Sequence, residues 1–138
     1  MDPVVINYWA VLAAAVANMV IGSLWYGPVF GKLWKRLQGW SDEAMKDMKL
    51  SPQKAMAGGF VTALVTAYVL AHFVELLGVF TAGDAWQLAF WVWLGFVATV
   101  QAGSYLWENK PFKLFLLNAA SSLVTLLAMT LILALWSW

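Results

Sequence analysis

Amide, hydroxyl and carboxyl side chains recur at helical spacing inside long apolar stretches of the sequence. They form three groups, which are Asn18 and Ser23, then Gln101, Ser104 and Glu108, and finally Asn118, Ser121 and Ser122. Polar side chains within a bilayer are candidates for function, so the three groups predict one shared site for a small polar solute or ion. The alternative is hydrogen bonding between helices, which contributes about 0.6 kcal/mol per bond on average.

A second candidate is the ionisable pair His72 and Glu75, which lie one helical turn apart near the end of another apolar stretch. Histidine titrates near neutral pH, so the two side chains could exchange a proton. The alternative is that the two side chains are hydrated or paired with each other at the membrane interface, where burying a charge costs less free energy than at the bilayer centre.

Several classes of chemistry are excluded by composition. One histidine and no cysteine rule out a multi-histidine metal site within one chain, disulfides and thiol chemistry. The sequence contains no nucleophile elbow, phosphate-binding loop or dinucleotide fingerprint. A net charge of +1 argues against a broad nucleic-acid surface. We therefore expect no catalytic residue, no metal and no cofactor, and a protein that is not an enzyme.

The elements that must hold these side chains are membrane helices. The chain has 138 residues, of which 63% are hydrophobic and 11% charged, whereas a soluble domain is about 25% charged. About 20 apolar residues cross a bilayer as a helix. Four segments are long enough, at 4–28, 52–79, 84–107 and 111–136. The fold class predicted is all-α, an integral membrane four-helix bundle forming a single transmembrane domain over 1–138.

Local signals mark where these helices begin. Ser51 before Pro52 is typical of an N-cap followed by proline at the first helical position. Gly83 and Asp84 predict a turn and a cap before the third span, and Pro111 restarts the chain for the fourth.

The first connection, residues 29–51, predicts a short basic amphipathic helix on the cytoplasmic membrane surface. Its apolar face holds Phe30, Leu33, Trp34 and Leu37, and its basic face holds Lys32, Lys35 and Arg36. Gly39 is the expected stop, and a second short helix is expected from Asp42 to about residue 50. The basic face predicts either recognition of anionic lipids or an anchor that only sets orientation.

The cations also predict an orientation. All eight lysine and arginine residues fall in 32–54 or 110–113, which are on one side of a four-span topology. The positive-inside rule assigns that side to the cytoplasm. We therefore expect a multi-pass protein of the bacterial inner membrane with both termini outside.

An internal repeat relates residues 22–34 to 103–115, since both stretches read Gly-Ser, Leu-Trp, Pro, Phe, Lys-Leu and an aromatic residue. It predicts two parallel helical hairpins, and the alternative is convergence of common membrane-boundary residues. Small residues at every fourth position in the first three spans predict close helix packing, within the chain or in a homodimer.

The stretch from Gly22 to Trp34 resembles a family of small bacterial membrane proteins known as domain of unknown function 1761. The stretches 93–97 and 106–118 resemble the same family, so the resemblance covers nearly the whole chain. It implies four membrane helices and brings no established activity. The family pattern draws attention to six positions, which are Trp25, Tyr26, Pro28, Trp107, Glu108 and Asn118.

Three functions remain open from the sequence. The first is a non-enzymatic membrane protein that binds or passes a small polar solute or ion through the polar cluster. The second is an accessory or structural subunit of a larger membrane complex, using small-residue seams and tryptophans as contact surface. The third is a protein that binds lipid or another hydrophobic ligand around Trp91 and Trp93.

Overall fold

A computed structural model describes residues 3–136 of the chain, which form helices and their connections. Four helices in this part of the chain are long and apolar enough to cross a membrane, and we call them the first to fourth spans: Tyr8–Val29, Pro52–Leu77, Ala82–Leu106 and Phe112–Leu135. The predicted all-α bundle of a multi-pass membrane protein is therefore confirmed. The ends of the spans differ from the predicted ones by a few residues.

The first two spans begin at side-chain caps. Asn7 accepts hydrogen bonds from the backbone N–H groups of Trp9 and Ala10 at 3.1 and 3.2 Å, so the first span begins at Tyr8 rather than near residue 4. The predicted cap of the second span is confirmed, because Ser51 Oγ accepts from the Lys54 N–H at 3.2 Å. This pairing satisfies a donor that the helix leaves unbonded.

The cap predicted at Gly83 and Asp84 is wrong by one turn. Thr81 is the cap, and its hydroxyl accepts from the Asp84 N–H at 3.2 Å. Threonine, like aspartate, is a common N-cap residue. A cap at Thr81 places Asp84 inside the first helical turn. The fourth span follows Pro111 as predicted, since the helix begins at Phe112.

Two π-helical segments interrupt the first and third spans. The first is Trp25–Val29, which contains Pro28 and a non-helical backbone at Gly27 (φ −108°, ψ −105°). Proline lacks the N–H that a regular helix needs, which accounts for this break. The second is Trp93–Ala98. After it the third span continues as the short helices Thr99–Gln101 and Gly103–Leu106.

The first connection contains two short helices. Gly31–Gln38 is the predicted amphipathic helix, and Gly39 ends it with a left-handed backbone (φ 75°) that glycine adopts at little cost. The second helix, Asp42–Lys46, is shorter than expected. The first and third connections meet where the Lys110 ammonium donates to the Gln38 carbonyl oxygen at 3.4 Å.

The fourth span is the centre of the bundle, because it packs against all three others. The first span packs against the second and fourth, while the third packs mainly against the fourth and has little contact with the second. The two halves of the predicted repeat are therefore packed differently, and the duplication itself stays a prediction. Alanine fills the closest crossings: Ala14, Ala15, Ala67 and Ala89 are completely buried. Such small side chains let helix backbones approach in lipid.

Candidate functional site

Four polar side chains form a hydrogen-bonded chain across the first, third and fourth spans. The Tyr26 hydroxyl donates to Asn118 Oδ1 at 2.7 Å. Gln101 Nε2 donates to Ser122 Oγ at 2.8 Å, and Ser122 Oγ donates to the Asn118 carbonyl oxygen at 3.0 Å. These contacts join amide and hydroxyl groups from three spans within the apolar bundle.

The direction of these bonds fixes the orientation of the Gln101 amide. The single hydroxyl proton of Ser122 is directed at the Asn118 carbonyl, so Ser122 Oγ must accept from Gln101. The amide nitrogen of Gln101 therefore faces Ser122. Its Oε1 atom is buried and has no hydrogen-bond partner within residues 3–136.

A partly open cavity of about 300 Å³ lies on one side of this chain, near the middle of the four spans. All four spans contribute to its wall, and most of its polar groups are uncharged hydroxyls and amides. Its lining residues are Asn18, Gly22, Tyr26, Thr66, Val97, Ser121, Ser122, Thr125, Leu126 and Met129. We call it the deep cavity.

A second cavity of about 520 Å³ lies on the other side, towards the connection that joins the third and fourth spans. We call it the vestibule, and it is lined by Val100, Gln101, Gly103, Ser104, Trp107, Glu108 and Asn118. Each of the pairs Tyr26–Asn118 and Gln101–Ser122 has one member in each cavity. Two hydrogen bonds thus separate the deep cavity from the vestibule.

The structure brings most of the predicted polar residues together, with one exception. Asn18 lines the deep cavity and its amide lies 3.5 Å from Met129 Sδ. Ser104 lies in the vestibule and donates to the Gln101 carbonyl at 2.9 Å. Glu108 is exposed at the vestibule wall. Ser23 is exposed on the first span and lines neither cavity, because the helix turns its side chain to another face.

Two features of the site, at Thr66 and Trp93, do not follow from the sequence. Thr66 brings the second span into the deep cavity, and a lone threonine in an apolar run carries no distinctive signal. The sequence favours Trp93 only as a hydrophobic contact, yet its indole N–H donates to the Ala119 carbonyl oxygen at 2.8 Å and joins the third span to the fourth. The π segment that starts at Trp93 was not visible in the sequence periodicity.

The residues of the family motif have several roles. Tyr26 is in the hydrogen-bonded chain, and its ring also packs edge-on against Trp34 at 5.3 Å between centroids. The Trp25 ring packs against Phe30 at 4.8 Å, and its buried Nε1 has no hydrogen-bond partner in the described part of the chain. Trp107 lines the vestibule and is 85% exposed.

The structure gives His72 and Glu75 different neighbours. His72 Nδ1 lies 2.8 Å from the Tyr68 carbonyl oxygen, and its ring packs edge-on against the Tyr68 ring. Glu75 instead faces a small space beside Asn7 and Ala10. Both side chains are half-buried. The predicted proton-exchanging pair stays a prediction, and these contacts give it no support.

Comparison with known proteins assigns the chain to a family without a known activity. No curated protein and no solved structure matches it. The family described as "Protein of unknown function (DUF1761)" matches residues 9–134, which is nearly the whole chain. The matched range contains the lining of both cavities and all of the four spans except their outermost residues, Tyr8 and Leu135. The chain is therefore a member of the DUF1761 family.

Proposed function

We propose that this membrane protein binds a small, uncharged polar solute between its spans and does not act on it as an enzyme. The observation that supports the proposal is the hydrogen-bonded chain Tyr26–Asn118–Ser122–Gln101, which separates two polar-lined cavities inside an apolar bundle. Polar groups inside a membrane are costly unless they serve packing or function. In this protein the polar side chains line two cavities instead of packing against each other in a tight helix contact.

The lining of the deep cavity favours a neutral ligand. It contains hydroxyl and amide groups and no ionised side chain, so a charged solute would lose its hydration without gaining a counterion. Its volume of about 300 Å³ is at the lower end for small-molecule sites, which favours a small ligand. Such a ligand would exchange hydrogen bonds with Asn18 and Thr125.

The unpaired oxygen of Gln101 is a second argument for binding. A buried acceptor without a partner costs about 1–3 kcal/mol. Helix packing gains one interhelical bond from Gln101, which offsets only part of this cost, and leucine at position 101 would fill similar space. A functional site tolerates such a cost when the Gln101 amide is needed to hold Ser122 at the wall of the deep cavity.

The charge distribution supports an orientation for the site. The vestibule opens towards the end of the bundle that carries all lysine and arginine side chains, and we call this the basic end. The positive-inside rule favours its location in the cytoplasm of a bacterial cell. The solute would then enter from the cytoplasm beside Trp107 and Glu108.

Cysteine labelling tests whether the deep cavity holds water, because the chain contains no cysteine of its own. Thr125 lines the deep cavity, while its neighbour Val124 is 43% exposed on the outside of the bundle. In lipid vesicles, we expect a charged thiosulfonate reagent to modify Thr125→Cys at least about tenfold faster than Val124→Cys, because only a hydrated thiol ionises readily. Equal, slow modification of both would contradict the proposal.

The same variant identifies the ligand class. Urea, acetamide, glycerol and glycine are added in turn during labelling of Thr125→Cys, and a bound solute slows the reaction. We expect protection from uncharged members of this panel and none from zwitterionic glycine. Flux of a protecting solute into proteoliposomes, compared between wild type and Asn118→Ala, then separates passage from binding without passage.

An accessory role in a larger membrane complex is the second candidate. The third span favours it, because this span is the least buried of the four and exposes Trp91, Phe96 and Val100 to its surroundings. A surface of this kind suits contact with another membrane protein or a second copy of the chain. This role requires no hydrated interior, so it predicts that Thr125→Cys reacts as slowly as Val124→Cys.

A further inference from the structure

A separate groove lies at the opposite end of the bundle, between the end of the second span and the start of the third. Its volume is about 380 Å³, and it is lined by Leu77, Val79, Asp84, Gln87, Leu88 and Trp91. The second and third spans have little contact with each other, so their side chains leave this space open. None of the residues that line the deep cavity or the vestibule takes part in it.

The groove is polar at its mouth and apolar below. Asp84 lies in the first turn of the third span, and Trp91 lies seven residues further along the same helix. This separation is about 10 Å along the helix axis. A carboxylate at the helix end with an indole two turns deeper fits the membrane interface, where tryptophan concentrates, and the step from there towards the acyl chains.

The charge at this end of the bundle is negative. No lysine or arginine occurs between Lys54 and Lys110, and both of those belong to the basic end. Asp84 and Glu75 therefore have no lysine or arginine near them in the chain. The residues that line the groove include no cationic side chain, so a cation that pairs with Asp84 inside the groove comes from outside this lining, and lipid headgroups at the membrane surface can supply one.

We propose that this groove binds a phospholipid whose headgroup carries a primary ammonium, as in phosphatidylethanolamine. The ammonium donates to the Asp84 carboxylate, and the Gln87 amide donates to the phosphate. An acyl chain lies along Leu88 and Trp91. An anionic headgroup is disfavoured, because it places a second negative charge beside the carboxylate.

Helix stability gives Asp84 another role, since a carboxylate in the first turn interacts favourably with the helix dipole. That role requires no lipid and is independent of the headgroup. Headgroup selectivity, rather than stability, therefore separates the two explanations.

Fluorescence quenching by brominated lipids measures this selectivity. Leu77→Cys is labelled with bimane in an otherwise cysteine-free chain and reconstituted into phosphatidylcholine containing dibromo-acyl phosphatidylethanolamine or phosphatidylglycerol. We expect the ethanolamine lipid to bind at this position about threefold more strongly, as partly exposed ion pairs contribute about 0.2–1 kcal/mol. Bimane at Leu135→Cys, which lies outside the groove, reports the bulk lipid and shows no preference.

Substitutions at Asp84 complete the test. Asp84→Asn is expected to reduce the preference to about one, since it removes the charge and keeps the shape, and Asp84→Glu is expected to retain the preference, since it keeps the charge. Quenching by brominated phosphatidylcholine stays the same in all three proteins when the groove is intact. Equal quenching by both lipids in the wild type, or a preference that survives Asp84→Asn, would overturn the proposal.

Discussion

Individual polar residues in the site contribute differently to stability. The Tyr26–Asn118 bond joins the first and fourth spans and pairs the tyrosine donor with the amide oxygen. The Gln101–Ser122 bond joins the third and fourth spans but leaves Gln101 Oε1 buried and unpaired. One side chain therefore makes a complete interhelical contact, and the other makes an incomplete one.

This difference predicts opposite outcomes for two conservative substitutions. Tyr26→Phe removes the bond of 2.7 Å and leaves Asn118 Oδ1 without its donor, so we expect a loss of about 0.6–1.7 kcal/mol in unfolding free energy. Gln101→Leu removes one bond and also the unpaired acceptor, so we expect a change below about 0.5 kcal/mol or a stabilisation. Unfolding in mixed detergent micelles, followed by circular dichroism, measures both.

Tyr8→Phe is the control for the loss of a phenol, since Tyr8 is 69% exposed on the same span. A purely structural role for the polar cluster makes a different prediction, namely that Gln101→Leu is destabilised as much as Tyr26→Phe. That result would remove the second argument for solute binding.

At the level of helices, the sequence predicts the caps and ends of helices but not the π-helical segments that interrupt them. Ser51 begins the second span and Gly39 ends the amphipathic helix. Both act through local hydrogen bonding and backbone conformation within a few residues, so the sequence alone predicts their positions. The break at Gly27 and Pro28 was visible as a helix end but not as a π segment. The segment Trp93–Ala98 contains no proline, and its geometry depends on packing against the fourth span.

The junction after the first π segment depends on a glycine. A Cβ atom at Gly31 would lie 2.8 Å from the Tyr26 carbonyl oxygen, which is backbone and cannot rotate away. We expect Gly31→Ala to cost about 1–3 kcal/mol of unfolding free energy through this overlap. The same micelle unfolding measurement applies.

Gly58→Ala is the matched control, because a Cβ atom there meets nothing within 4 Å. Alanine is preferred to glycine inside a helix by about 0.5–1 kcal/mol, so this variant is expected to be at least as stable as wild type. Equal stability of the two variants would show that the connecting helix does not pack tightly on Tyr26.

For the whole molecule, composition predicted the bundle but not the arrangement of its helices. The four apolar segments and the cation pattern can be read directly from the sequence. Each depends only on whether a segment lies in lipid or in water, and not on how the helices pack. The central place of the fourth span, and the gap between the second and third, depend on which small side chains meet across the bundle. Periodicity gives one face per helix but cannot select the partner of that face.

The separation of charge between the two ends predicts which side of the membrane each cavity faces, and labelling in intact cells tests this prediction. Lys49 is exposed at the basic end, and Gly83 lies at the other end with open space around it. We expect a membrane-impermeant maleimide to label Gly83→Cys in intact cells and to label Lys49→Cys only after permeabilisation, because lysine-rich connections stay in the cytoplasm. The reverse pattern would place the vestibule outside the cell and the groove inside. Labelling of both sites in intact cells would mean that the segments between them do not cross the membrane an odd number of times.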